Sequence, residues 1–315
     1  MKDVSIVIST RNRAEMLERT LMSFKSVAVP ERLRVEMIVV DNGSTDHTER
    51  VIHNAAHPSM EIRYLRESRP GKSRALNLAI KAAKGRVLLF TDDDVEPADN
   101  WIGEMSRPLL EGRCEALTGI ILLGRDLQRT WMTPIHRVFL AWISDPAEVS
   151  PDLVGANMGL RKEVFDSLGP FDENLGPGAS GFGEEALLCR QMGVAGMHIQ
   201  PVRTTHVVHY PESSRLLRRS WISAAERIGA SEAYVLHHWE HGHITFPALR
   251  HSLLRVKLWL RLRLQGGPDA ESEGCPIWEI CYRMRIATLA GFKREFRKPR
   301  AYSLRGVRQW ESIFE

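Results

Sequence analysis

The chain has 315 residues, is 43% hydrophobic and 26% charged, and carries a formal net charge of +4. These values suit one large globular domain, or a domain with an appendage, and leave enough apolar sequence for a substantial core. The four cysteines have neither CxxC spacing nor accompanying histidines, which argues against a zinc site or a disulfide framework. No signal-like apolar region precedes the first strand pattern, so we expect a cytoplasmic protein.

Three strand patterns alternate with three helical patterns in the first third of the chain. The strands are predicted at residues 4–10, 35–41 and 86–91. The helices are predicted to begin near Arg13, Thr45 and Ser73, and Gly85 is a candidate C-cap for the third helix. Because crossovers between parallel strands are right-handed, the ends of all three strands are expected along one rim of a mostly parallel sheet.

The third predicted strand delivers three consecutive carboxylates, Asp92, Asp93 and Asp94, to that rim. At an effective dielectric constant of about 20, two unit charges about 5 Å apart repel by roughly 3 kcal/mol. A cation is therefore expected between them, and ligands of open α/β sheets collect beyond such strand ends. Mg²⁺ or Mn²⁺ is the natural choice, because one or two carboxylates commonly present these ions to a nucleotide diphosphate.

The middle of the chain, residues 115–211, mixes short apolar segments with glycine and proline. A glycine-rich loop at residues 176–183 opens into a helical pattern that begins with Glu184 and Glu185, two acids at the positive end of the helix dipole. This pattern is typical of a solvated helix start, and it also suits a site that uses a carboxylate.

The end of the chain is basic: residues 249–315 contain 14 Lys and Arg against 7 Asp and Glu. In residues 249–264 the cations interrupt every apolar run well short of the roughly 20 residues that a transmembrane helix needs. Two interpretations stay open, namely peripheral contact with an anionic leaflet, or a helix packed on the main domain with its arginines reaching solvent. No nucleic-acid-binding module accompanies the charge, so no nucleic-acid partner is expected. A break at residues 266–269 separates two basic helical stretches.

Five segments, in the expected order, resemble the family 2 glycosyltransferases of the GT-A fold. They are Ser5–Arg13 (SIVISTRNR), Ile38–Asp46 (IVVDNGSTD), Gly71–Asn77 (GKSRALN), Asp92–Asp94 (DDD) and Gly183–Glu185 (GEE) with Arg190 following. Each alone is a weak signal, because aspartate triplets occur by chance on many acidic surfaces. Together they extend the resemblance from residue 4 to about residue 235.

The resemblance implies the GT-A nucleotide-diphospho-sugar transferase fold, an α/β fold with a Rossmann-like, mostly parallel central sheet, here with a C-terminal basic helical extension. The corresponding domains would be residues 1–240 and 241–315. The implied activity is an inverting, metal-dependent glycosyltransferase that uses Mn²⁺ or Mg²⁺ and moves a sugar from a nucleotide-diphosphate donor, foremost a UDP-sugar, to a hydroxyl acceptor. A saccharide or lipid-linked acceptor is expected, in polysaccharide or glycolipid assembly at the inner face of the cytoplasmic membrane.

The family pattern also assigns site residues. Those implied to bind the donor nucleotide are Thr10, Arg11, Asp41, Lys72, Arg74, Asp92 and Asp93. Asp94 and His209 match metal-binding positions, and Asn157 and Arg215 lie where the acceptor or the diphosphate is expected. A structural role stays open for Asp41, because the Asp-Asn-Gly-Ser sequence also favours a turn. It stays open for His209 as well, since a lone histidine is often structural. Lys72 and Arg74 would equally suit a solvated helix start.

The catalytic base is expected from the pair Glu184 and Glu185. Inverting relatives carry Glu-Asp here, and the second acid removes the proton of the acceptor hydroxyl, so Glu185 inherits that role and Glu184 would contact acceptor or donor sugar. Because Glu reaches about one methylene further than Asp, the loop must be arranged differently for Glu185 to work. Two rivals remain, namely a nucleotidyltransferase, whose usual glycines are missing after the first strand, and an inert nucleotide-binding scaffold.

Overall fold

A mixed sheet of eight strands organises the part of the chain that the structure, a computed structural model, describes: residues 2–145, 153–265 and 269–302. The strands are β1 (Lys2–Thr10), β2 (Val35–Asp41), β3 (Glu61–Arg66), β4 (Gly85–Thr91), β5 (Val95–Pro97), β6 (Ala116–Leu123), β7 (Met158–Arg161) and β8 (Ile199–His209). Their order across the sheet is β3-β2-β1-β4-β7-β6-β8-β5. The first four in that order are parallel, β7 is antiparallel to both its neighbours, and β8 is parallel to β6 but antiparallel to β5.

Helices cover the sheet and then continue beyond it. They are α1 (Ala14–Ser23), α2 (Thr48–Asn54), α3 (Lys72–Ala82), α4 (Trp101–Leu110), α5 (Pro134–Phe139), α6 (Glu163–Leu168), α7 (Glu184–Val194), α8 (Arg218–His238), α9 (Pro247–Gln265) and α10 (Ile277–Glu295). The three strands and three helices predicted in the first third are confirmed. Since β2, β1 and β4 are adjacent and parallel, their carboxyl ends meet at one edge, as predicted.

Two details differ from the sequence prediction. Gly85 does not cap α3, which ends before Ala83; it is the first residue of β4. A Cβ at Gly85 would lie 2.5 Å from the backbone nitrogen of Ser5, so the glycine allows β4 to approach β1. Strand β3 is a half-buried edge strand, so it lacks the apolar run of the central strands. For that reason it was not predicted from the sequence.

The strands β1, β2 and β4 are buried on both faces, which is typical of parallel strands covered by helices. Successive side chains of a strand point to opposite faces, so β1 contributes to two cores. Ile6 and Ile8 belong to the core that includes α1 and α4, whereas Val7 belongs to the core that includes α3. Packing on both faces of the sheet holds in place the strand ends that carry the polar groups of the site.

The long helices α8, α9 and α10 follow the sheet. A Cβ added to Gly291 of α10 would lie 2.8 Å from Cβ of Ala233 in α8, so the two helices pack at close range. A buried ion pair between Arg218 and Glu279, at 2.6 Å, joins the same helices. The boundary at residues 240 and 241 stays a prediction, and residues 266–268 of the predicted break lie outside the described residues. Across the described ranges, none of the helices combines the length and the apolar character needed to cross a membrane.

Candidate active site

A cavity of about 320 Å³ lies at the rim where β1 and β4 end. It is lined by eight of the predicted site residues, namely Thr10, Arg11, Lys72, Asp92, Asp93, Asp94, His209 and Arg215. They come from separate segments of the chain, and the sheet brings them together because its parallel strands end at one edge.

Asp92, Asp94 and His209 form a candidate metal site, since each offers a ligand atom and these atoms lie within 4.8 Å of one another. Nδ1 of His209 lies 2.9 Å from the carbonyl oxygen of Leu140. A carbonyl only accepts hydrogen bonds, so Nδ1 carries the proton and Nε2 of the neutral ring presents a lone pair. That lone pair lies 3.3 Å from Oδ1 of Asp94, a buried oxygen without a hydrogen-bond partner among the described residues.

Two electron-pair donors at this distance require a positive charge between them. Burial alone raises the pKa of Asp94, but the interactions with His209 and Arg13 outweigh burial and hold that pKa well below its usual range. A divalent cation would supply this charge, because carboxylates and neutral imidazole are ordinary ligands of such ions. The donor set therefore fits the divalent metal expected from the sequence.

Arg13 is a site residue that the sequence analysis missed. Its guanidinium lies 2.5 Å from Oδ1 of Asp93 and 2.6 Å from Oδ2 of Asp94, which leaves Oδ1 of Asp94 directed at His209. Burial raises the pKa of Asp93 to about 7, although Arg13 opposes this shift. The Thr10–Arg13 segment contains two arginines, and the sequence analysis assigned only Arg11 to the site. Arg11 is exposed at the cavity.

Lys72 connects the metal site to the glutamate pair. Its Nζ lies 2.5 Å from Oδ1 of Asp92. A Cβ added to Gly155 would lie 2.5 Å from Oε1 of Glu185 and 3.3 Å from Nζ of Lys72, so both groups converge over that glycine. Burial lowers the pKa of Lys72, but the carboxylates of Asp92, Glu185 and Glu184 raise it well above its usual range. Lys72 is therefore a fixed cation rather than a solvated residue at a helix start.

Glu184 and Glu185 begin α7 but are not both solvated. Glu184 is 3% exposed, lies against Gly176, and its Oε2 has no hydrogen-bond partner among the described residues. Burial, reinforced by the neighbouring Glu185, raises the pKa of Glu184 to about 8. Burial also raises the pKa of Glu185, while Lys72 opposes that shift. Both carboxyl groups therefore hold a proton more readily than a free glutamate does, and Lys72 favours the carboxylate form at Glu185.

This protonation makes stability depend on pH. The pKa of Glu184 is about 8 when folded against 4.5 ordinarily, so the folded protein holds this proton more tightly than the unfolded chain does. Stability should thus fall as pH rises between these two values. We expect Glu184→Gln to flatten this slope and to raise the melting temperature most near pH 8, as measured by thermal unfolding across the range. Identical slopes for both proteins would show that Glu184 is ionised in the folded state.

The loop that precedes Glu184 is anchored to the start of α3 and to α8. The amide of Lys72 donates to the carbonyl of Pro177, and the hydroxyl of Ser73 donates to the carbonyl of Leu175, both at 2.8 Å. On the other side, the buried carboxylate of Asp172 accepts hydrogen bonds from Tyr234, Trp239 and Asn174. The loop is therefore positioned by its neighbours, and so are the two glutamates that follow it.

Besides the two glutamates, three predicted residues do not line the cavity, namely Asp41, Arg74 and Asn157, and each has other partners. Asp41 is buried and accepts a hydrogen bond from the amide of Ser44 at 2.7 Å, which is a turn contact, and another from the hydroxyl of Tyr64 at 3.3 Å. Arg74 pairs with Glu173 at 3.1 Å. The assignment of either residue to the nucleotide stays a prediction.

Asn157 does not line the cavity either. Its Oδ1 accepts a hydrogen bond from the indole of Trp101 and its Nδ2 donates to the carbonyl of Ile120, both at 2.8 Å. The residue is fully buried and its amide links β6 to α4, and its assignment to the acceptor or the diphosphate stays a prediction. Neighbouring Gly155, against which Glu185 rests, is closer to the chemistry.

Arg215 lines the cavity as predicted. One guanidinium nitrogen donates to the carbonyl of Phe139 at 3.0 Å, and burial lowers its pKa. No carboxylate in the described ranges lies within 4.0 Å of Arg215, unlike Arg13, whose charge is matched by Asp93 and Asp94. Arg215 is therefore available to an anionic ligand of the cavity.

Known proteins share this sequence pattern and fold. The profile of the family described as Glycosyl transferase family 2 matches residues 5–169. Glycosyltransferase AglE of Haloferax volcanii is 28% identical over 55% of this chain and 57% of its own, and the chain spans about half the length of the curated relatives it matches.

Solved structures show the same fold. The mannosyltransferase PcManGT from Pyrobaculum calidifontis, in complex with GDP-Man and Mn²⁺, has a TM-score of 0.55 at 17% identity over 95% of this chain and 78% of its own. GalNAc-T7 with UDP, GalNAc and Mn²⁺ has a TM-score of 0.51 at 18% identity over 76% of this chain and 48% of its own. With the profile match over half of its residues, and with a GT-A fold, the chain belongs to family 2 of the glycosyltransferases.

Proposed function

We propose that this protein is an inverting, metal-dependent glycosyltransferase that moves a sugar from a nucleotide-diphosphate donor, foremost a UDP-sugar, to a hydroxyl acceptor. The observation that carries the proposal is the convergence of a metal-ligand set, Asp92, Asp94 and His209, with a buried glutamate pair across the single cation Lys72. A nucleotidyltransferase would usually carry a glycine-rich phosphate loop after the first strand, and residues 9–12 lack glycine, whereas membership of family 2 favours sugar transfer.

The donor would occupy the cavity at the ends of β1 and β4. Thr10 and Arg11 line its wall, and Arg11 can stack its guanidinium on a base. Arg215 supplies a cation without a carboxylate partner among the described residues, which suits a diphosphate. Asp92, Asp94 and His209 would hold Mn²⁺ or Mg²⁺, which would stabilise the charge that develops on the leaving diphosphate.

Glu185 is the proposed base. Its carboxylate faces Lys72, whose positive charge favours the ionised form that can accept a proton, whereas Glu184 keeps its own proton at neutral pH. The acceptor hydroxyl would give its proton to Glu185 while its oxygen attacks the anomeric carbon from the face opposite the leaving diphosphate. One displacement of this kind inverts the configuration and needs no covalent intermediate.

The proposed acceptor is a saccharide or a lipid-linked saccharide in polysaccharide or glycolipid assembly. The proposed setting is the cytoplasmic face of a membrane, with peripheral contact through residues 249–264, in the helical region that follows residue 240. The basic charge of that region and the exposed apolar side chains of α9 support this setting.

Turnover tests the proposal. The purified protein is incubated with Mn²⁺, a panel of UDP-, GDP- and dTDP-sugars and simple saccharide acceptors, and nucleoside diphosphate release is followed. We expect release from one donor class, and a product whose anomeric proton, read by NMR, shows the configuration opposite to that of the donor. A product with retained configuration would contradict the role of Glu185, and tight donor binding without any turnover would favour the inert scaffold.

A further inference from the structure

The outward face of helix α9 is the exposed apolar surface that the glycosyl-transfer site leaves unused. Leu258 is buried, and Leu254 and Leu262, one turn away on either side, are half-buried on the same face. Each residue of an α-helix advances by about 100° around the axis. The packed face of α9 is thus a narrow stripe centred on Leu258.

A second apolar stripe lies opposite the first. Leu249, Leu253, Val256, Leu260 and Leu264 recur at helical spacing on the far side from Leu258. All of them are exposed, from 46% for Leu260 to 85% for Leu264. The 19-residue helix is about 28 Å long, so this stripe is far more extended than the isolated apolar residues found on ordinary surfaces.

The charge of α9 indicates what covers the stripe. The helix has five cations, Arg250, Arg255, Lys257, Arg261 and Arg263, and no acidic residue. Arg250 and Lys257 flank the stripe on one side and Arg263 on the other. None of the five has a carboxylate within 4.0 Å in the described ranges, whereas Arg283 and Arg294 of α10 pair with Glu226 and Glu295.

We propose that the outward face of α9 lies in the interface of an anionic lipid bilayer, with the apolar stripe among the acyl chains and the flanking cations at the lipid phosphates. A helix with an apolar stripe, flanking Lys and Arg, and too little apolar length to span is suited to this position. A second copy of the chain would bring the same cations face to face, which opposes dimerisation through this surface. This inference rests on the proposed function, because membrane binding would serve to hold the transferase beside a membrane-borne acceptor.

Vesicle flotation of the full chain tests the proposal, with no donor present. We expect the wild type to float with vesicles of phosphatidylcholine and phosphatidylglycerol, to float poorly with phosphatidylcholine alone, and to be released by high salt. The double variant Leu253→Glu/Leu260→Glu should bind at least about tenfold more weakly. Both positions are exposed, so the fold is expected to persist, which thermal unfolding checks.

The matched control is Met22→Glu/Val194→Glu, which places two carboxylates at exposed apolar positions of α1 and α7. It should float like the wild type. Equal flotation of wild type and Leu253→Glu/Leu260→Glu, or no flotation of the wild type, would overturn the proposal. A dimer that forms in the wild type but not in the α9 variant, as measured by sedimentation, would also overturn the proposal. Binding of an acidic protein to this face in place of lipid would overturn it too. Nucleotide binding by the α9 variant, measured separately, shows whether the catalytic site itself is intact.

Discussion

Replacing Glu185 by Gln is expected to lower kcat by about 10²–10⁴-fold, the contribution typical of a positioned general base. Glutamine keeps the size of the side chain, and the carboxamide still fits over Gly155, but it cannot accept the acceptor proton. In the proposed site the donor binds in the cavity at Asp92 and Asp94, which Glu185 does not line, so the affinity for the nucleotide should change little. Steady-state turnover and calorimetric nucleotide binding, measured on the same preparation, separate the two effects.

Glu163→Gln is the control for this change, because it removes an exposed carboxylate from the first turn of α6, outside the cavity. Its kcat should equal that of the wild type. Full activity of Glu185→Gln would show that another group takes the proton, and Glu184 would be the next candidate. The acidic limb of the pH profile gives a second readout, since turnover should fall as Glu185 gains a proton, at a pKa above the ordinary value for glutamate.

Replacing Asp94 by Asn is expected to remove metal-dependent donor binding. The substitution keeps the shape of the side chain but deletes the charge that faces His209 across 3.3 Å. Loss of groups that only orient metal ligands costs 10–100-fold in affinity, so loss of a ligand should cost at least about 100-fold. Titration of Mn²⁺, and of UDP in the presence of Mn²⁺, gives both affinities by calorimetry.

Asp172→Asn is the matched control, because Asp172 is equally buried but binds Tyr234, Trp239 and Asn174 rather than lining the cavity. Mn²⁺ affinity should persist in this variant. If Asp94→Asn keeps metal-dependent binding, Asp94 is not a metal ligand; if Asp172→Asn loses it to the same extent, the loss reflects a structural effect that both changes share. Thermal unfolding of both variants ensures that folded protein is compared.

The sequence was sufficient for three of the four parallel strands, β1, β2 and β4, and for the rim where these strands end. Apolar runs predicted β1, β2 and β4. Because the carboxyl ends of adjacent parallel strands meet at one edge of the sheet, the aspartates after β4 were expected beside the segment after β1. The edge strand β3 was not predicted, because its half-buried sequence lacks an apolar run.

Contacts between distant segments could not be predicted from residue types. Arg13 and Arg11 look equivalent in sequence, yet only Arg13 reaches Asp93 and Asp94. Asn157 was expected to contact the acceptor or the diphosphate, but its side chain is hydrogen-bonded to Trp101 and Ile120. These two residues lie on α4 and β6, whose packing no local sequence pattern predicts. The family pattern placed a second acid at position 185; only the fold shows Lys72 beside it.

Calorimetric titration of the wild-type protein with UDP, GDP, dTDP and CMP, each with and without Mn²⁺, tests the central claim most directly. The geometry of Asp92, Asp94 and His209 predicts that one diphosphate, foremost UDP, binds and that Mn²⁺ strengthens its binding. Binding that is indifferent to Mn²⁺, or the absence of binding by every nucleotide, would contradict a metal-dependent nucleotide-sugar site in this cavity.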